Sequence, residues 1–83
     1  MFVAEHELKE RDYILVGELA NMVVYKRELS KHVTSLGICL RDESDSLNTK
    51  MLMIDSNFLD LINDALDKKE HKRLCCILGL SYY

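Results

Sequence analysis

Five large apolar residues, Leu8, Leu15, Met22, Leu29 and Leu36, recur every seven positions through the first half of this chain. The positions four residues further on are Asp12, Leu19, Lys26 and Val33, so a second seam is half apolar. Seven residues make about two turns of an α-helix. The spacing therefore predicts an amphipathic helix rather than a strand, most firmly over 18–36, where Glu, Leu, Ala, Lys and Arg are plentiful. Composition pulls the other way in two places. Tyr13-Ile14-Leu15-Val16 and Met22-Val23-Val24-Tyr25 are strand-prone. Gly17 weakens a helix by about 1 kcal/mol relative to alanine, so two helices, or a strand followed by a helix, also fit. Gly37 takes the place of a helix-ending glycine, with Ile38 after it to close a hydrophobic contact.

Between the halves, Ile38-Cys39-Leu40 and Met51-Leu52-Met53-Ile54 are short apolar runs around the polar stretch 41–50. Runs this short read equally as buried helix ends or as two strands, which leaves room for a short β-hairpin at 38–54. Asp42, Glu43 and Asp45 lie close together there. They lack the glycine and terminal glutamate of an EF-hand loop, and a solvated acidic loop is the expectation.

The second half has clearer punctuation. Asp55, Ser56 and Asn57 are all good helix N-caps. Phe58, Leu61, Ile62, Ala65 and Leu66 follow at i, i+3, i+4, i+7 and i+8, one face of a helix. A basic stretch, Asp67-Lys68-Lys69-Glu70-His71-Lys72-Arg73, precedes the apolar block Leu74–Leu78, which Gly79 ends. The reading is a helix over 57–67, a tight joint near 68–70 and a second helix over 70–78, with one bent helix as the alternative. Leu80-Ser81-Tyr82-Tyr83 belongs either to the core or to a partner surface.

The whole chain is 83 residues, 48% apolar and 30% charged. That suits one small globular domain over 1–83. At this size folding buries only roughly 60–65% of the unfolded surface, so a disulfide, a metal or a partner subunit is the usual supplement. The fold class expected is mainly α, with α+β as the alternative.

The run Ile62-Asn63-Asp64-Ala65-Leu66-Asp67 is similar to the signature of the IDEAL domain. The likeness continues through Glu70, Leu74 and Ile77 and covers about 20 residues. Asn63, Asp64 and Leu74 depart from the usual acid, glutamate and phenylalanine. The resemblance implies a small helical module of a Gram-positive bacterium or its phage, and it supplies no catalytic residues.

Bulk chemistry narrows the function classes. The formal charge is −3, whereas nucleic-acid binders usually carry a basic face and a high pI. No stretch reaches the 18 apolar residues of a membrane span. The opening residues 1–7 carry acids where a signal peptide needs a basic start, so a cytoplasmic protein is expected. Cys39 stands alone and Cys75 adjoins Cys76, a layout that makes no disulfide framework. His71 and Cys75 stand four apart on one helix face, too few ligands for a metal without His32 and Cys39 converging on them. No phosphate loop, nucleophile elbow or paired-acid motif is present. No cofactor, no metal, no small-molecule substrate and no catalysis are expected.

Two functions remain. The first is a protein-binding or regulatory module, acting as an inhibitor in one form and self-associating in another. Its contact candidates are Leu15, Met22, Tyr25, Leu29, Tyr82 and Tyr83, since aromatic and large apolar residues are enriched in interface cores. The second is a small nucleic-acid-binding regulator that uses Lys68, Lys69, Lys72 and Arg73 on the 57–78 helix pair.

Overall fold

The computed structural model describes residues 5–41 and 47–80. The elements run α1 (Glu5–Glu10), β1 (Ile14–Leu19), β2 (Met22–Glu28), β3 (Val33–Arg41), β4 (Leu47–Asp55), a 3₁₀ turn (Ser56–Phe58), α2 (Leu59–Asp67) and α3 (His71–Leu78). The four strands form one antiparallel sheet in the order β1-β2-β3-β4. The fold is α+β, so the mainly helical expectation, and the description of the chain as helical, are corrected.

The correction has a physical cause. β2 and β3 are the central strands and are covered on both faces. Met22, Val24, Leu36 and Ile38 pack beneath α2 and α3, against Leu59, Ile62, Ala65, Leu74, Cys75 and Leu78. Val23, Tyr25 and Cys39 pack on the other face under Leu8 of α1. A strand buried on both sides reads as a continuous apolar run without alternation. The seven-residue spacing is the pitch of a strand meander, about one recurrence per strand or turn, and not two turns of a helix. Its members scatter accordingly: Leu8, Met22 and Leu36 are buried, while Leu15 and Leu29 are exposed.

Gly37 ends no helix. It lies mid-β3, paired with Tyr25 and Met51. A Cβ there would stand 2.8 Å from Leu8 Cδ1, so its bare backbone is the seat that lets α1 dock on the sheet. A hairpin does join the halves, and it is wider than 38–54, because β3 and β4 pair from Val33↔Asp55 to Arg41↔Leu47. The acidic residues Asp42, Glu43 and Asp45 fall outside the described residues.

The turns carry local strain and local repair. β1 and β2 are joined by Ala20-Asn21, with Leu19 paired to Met22. Ala20 has φ 54°, where a two-residue hairpin loop prefers glycine. All three helices end in the same way. Asp12, Lys69 and Gly79 have φ of 67°, 55° and 69°. Behind each, paired backbone bonds close the last turn: Asp12 N–H to Lys9 O and Tyr13 N–H to Leu8 O; Lys69 to Leu66 and Glu70 to Ala65; Gly79 to Cys76 and Leu80 to Cys75. This is the Schellman arrangement. The helix pair expected over 57–78 is present, with its joint at Lys68-Lys69-Glu70. Asp55 caps the 3₁₀ turn by accepting from Asn57 N–H at 3.0 Å.

Candidate interaction surface

Two edges of the sheet are open to compare. On β1 the register slips between Leu15 and Gly17, which inserts Val16 as a bulge. Bulges interrupt an edge and discourage pairing there. On β4 the register with β3 runs unbroken for nine residues.

The backbone bonds show which way β4 turns its groups. Ser56 N–H donates to His32 O at 2.9 Å, which makes Ser56 and His32 a bonded pair next to the pair Val33↔Asp55. Bonded and non-bonded pairs alternate in an antiparallel ladder. Ile54, Leu52 and Lys50 therefore bond to β3, and Asp55, Met53, Met51 and Thr49 direct their N–H and C=O groups outward. The side chains of these four lie on the face that α1 covers, since side chains alternate along a strand. Met51 is 39% exposed and Met53 62% exposed. The sheet edge thus offers outward-facing backbone groups, with no backbone partner among the described residues, and an apolar rim together.

The sequence candidates distribute unevenly around this surface. Leu15 is exposed on the same face as Met51 and Met53, in the same cross-strand row as Tyr25, Gly37 and Met51. Leu29 is exposed just beyond the end of β2. Met22 and Tyr25 are buried in the two opposite cores, so neither is an interaction candidate. Tyr82 and Tyr83 lie outside the described residues. Met51 and Met53 are not among the sequence candidates, nor are Ile14, Phe58 and Leu61, which are also exposed. No alternation in the uniformly apolar run Met51-Leu52-Met53-Ile54 marks the methionines; the alternation of exposed Met51 and Met53 with half-buried Leu52 and Ile54 arises only in the folded sheet.

The basic residues gather at the α2–α3 joint. Lys69, Glu70, His71, Lys72, Arg73 and Cys76 line an open groove there. The charge of Arg73 there, and of Lys68 beside it, is compensated within the protein. Arg73 Nη1 donates to Asp64 Oδ2 at 2.7 Å and reaches Glu70 Oε2 at 3.3 Å, and Lys68 Nζ stands 3.4 Å from Asp64. The Arg73 hydrogen bond, with Lys68 behind it, holds the Asp64 carboxyl below its ordinary value, against a weaker opposing effect of desolvation. These contacts bolt the two helices together across the Lys69 turn.

Cys75 is not set up as a nucleophile. Cys75 Sγ lies 3.8 Å from His71 Nε2, but burial pushes the Cys75 thiol up, and neighbouring Cys76 adds to that. A reactive thiol needs the opposite shift. None of the three cysteines is bridged. Among the described residues no group of three or more His, Cys, Asp and Glu could hold a metal ion, and no helix is long and apolar enough to cross a membrane.

No family model matches the chain, and no curated protein or solved structure matches it. The run that resembles the IDEAL signature occupies α2, where Ile62 and Ala65 are core residues, and Leu74 takes the same role in α3.

Proposed function

We propose that the protein acts by binding another polypeptide, without catalysis, and that it does so by accepting a strand along the outer edge of β4. The observation that carries this is the coincidence, on one strand, of outward backbone groups with the exposed side chains of Met51 and Met53. Strand addition draws affinity from main-chain hydrogen bonds and specificity from alternate side chains. Methionine adapts its shape to varied partners. A reducing, cytoplasmic setting suits three unbridged thiols.

Nucleic-acid binding through Lys68, Lys69, Lys72 and Arg73 has less support, because Asp64 and Glu70 already partner Lys68 and Arg73. Salt-sensitive retardation of generic DNA, lost in an R73A/K72A variant, would revive it.

The test uses the full chain as bait in host extract, beside a Met53→Lys variant of equal thermal stability, with mass spectrometry of what each captures. A lysine at an exposed edge position blocks strand pairing. The expected result is a protein held by the wild type and lost with Met53→Lys. Identical captured sets would overturn the reading.

A further inference from the structure

We infer that the strand β4 accepts is the β4 of a second copy, paired antiparallel about a two-fold axis through Leu52. This rests on the reading of β4 as a binding edge, and it adds the partner and the register.

The alternation along the strand restricts the choice. A two-fold axis perpendicular to a sheet joins like faces, so outward-bonding residues must meet outward-bonding residues. Thr49, Met51, Met53 and Asp55 are that set. Three axis positions keep most of it paired: Met51, Leu52 or Met53. An axis at Met53 sets Met51 against the carboxylate of the partner's Asp55. An axis at Met51 sets the hydroxyl of Thr49 against the partner's Met53. An axis at Leu52 sets Met51 against the partner's Met53 and Thr49 against the partner's Asp55. Thioether then meets thioether, and a hydroxyl donates to a carboxylate. Cross-strand pairs of matched chemistry are the unit of sheet stabilisation. In that register Lys50, on the other face, lies opposite the partner's Ile54, so no like charges are opposed over 49–55. Four methionines form one apolar rim across the junction, and two four-stranded sheets become one of eight strands. The bulged β1 offers no comparable run.

The experiment measures mass and register together. Light scattering over a concentration series reads the mass of the wild type and of Met53→Lys. The register is read in a Cys76→Ser background, which removes the exposed thiol and leaves Cys39 and Cys75 buried. Met51→Cys and Met53→Cys proteins are mixed, oxidised, digested and mapped. Opposed residues of a bonded pair have Cα atoms about 5.5 Å apart, within reach of a disulfide. The expected outcome is a doubling of the 9.7 kDa mass, its loss in Met53→Lys, and a disulfide joining position 51 to position 53 in excess of either like-with-like product. A monomer throughout, a dimer that survives Met53→Lys, or a dominant 51–51 or 53–53 disulfide overturns the inference. If the wild type is monomeric and still captures a foreign protein that Met53→Lys loses, self-pairing falls while strand binding stands. If both fail, β4 is no binding edge.

Discussion

Replacing Gly37 by alanine should unseat α1, and the size of the effect follows from the packing. The new Cβ would lie 2.8 Å from Leu8 Cδ1 and 3.0 Å from Cδ2. Ordinary carbon contacts lie at about 3.5–4.0 Å, so Leu8 must withdraw by about 0.7 Å or rotate. It has little freedom to do so, because Leu8 is fully buried among Val23, Tyr25 and Cys39. Overpacking of this kind costs about 1–3 kcal/mol. Alanine in place of glycine returns about 0.5–1 kcal/mol through the unfolded chain. The net expectation is a loss of about 1–2 kcal/mol in urea unfolding, at about 4–8 °C of melting temperature per kcal/mol for a domain this small. The decisive measurement is a double-mutant cycle. Leu8→Ala alone should cost about 2–5 kcal/mol. In that background the obstruction is gone, and Gly37→Ala should be neutral or stabilising. An equal cost for Gly37→Ala with leucine or alanine at position 8 would refute the account of Gly37 as the seat of α1.

Three further outcomes are expected. Ala20→Gly should raise stability by about 0.5–1 kcal/mol, since the φ of 54° at this turn is strained for alanine and relief of about 1–2 kcal/mol exceeds the added entropy of the unfolded glycine; thermal melts check it. The Asp64–Arg73 pair should give a small stabilisation that is present above the ordinary carboxylate pKa and is lost as pH falls through the depressed folded value. Asp64→Asn should therefore melt below the wild type near neutral pH, and the two curves should converge below pH of about 4. A thiol reagent at neutral pH should label Cys76 alone in the folded protein, because Cys39 and Cys75 are buried, with all three reacting after denaturation; rapid labelling of Cys75 would contradict its raised thiol pKa.

The parts of the fold that the sequence made legible are those with one buried face. Ile62, Ala65 and Leu66 keep a helical period because α2 covers the sheet on one side only. Gly79 sits where a left-handed helix end needs glycine. Lys69 makes the same turn without glycine, and there the polar run 67–73 gave the joint away. β2 and β3 were hidden for the opposite reason. Met22-Val23-Val24-Tyr25 is buried on both faces, so it carries no alternation, and the accident of a seven-residue meander pitch supplied a helical one. Strand propensity at Tyr13–Val16 and Met22–Tyr25 was the better guide there. The candidate surface was legible only in part. Leu15 was found as an apolar residue, but the outward turn of Met51 and Met53 depends on a ladder with β3 that no local pattern reveals.

The order β1-β2-β3-β4 also bears on how fast the chain finds this structure. Every strand closes on the one before it, so each pairing step encloses only a short loop, and loop closure is where β-proteins lose time. The first hairpin, joined by two residues, can form in about 1–10 μs. The distant steps are the dockings of the helices, Leu8 of α1 over Gly37 and α2 on β1, where Leu66 comes within 3.1 Å of the Cβ position at Gly17. A chain with this connectivity exposes the apolar faces of β2 and β3 only until the helices dock on them.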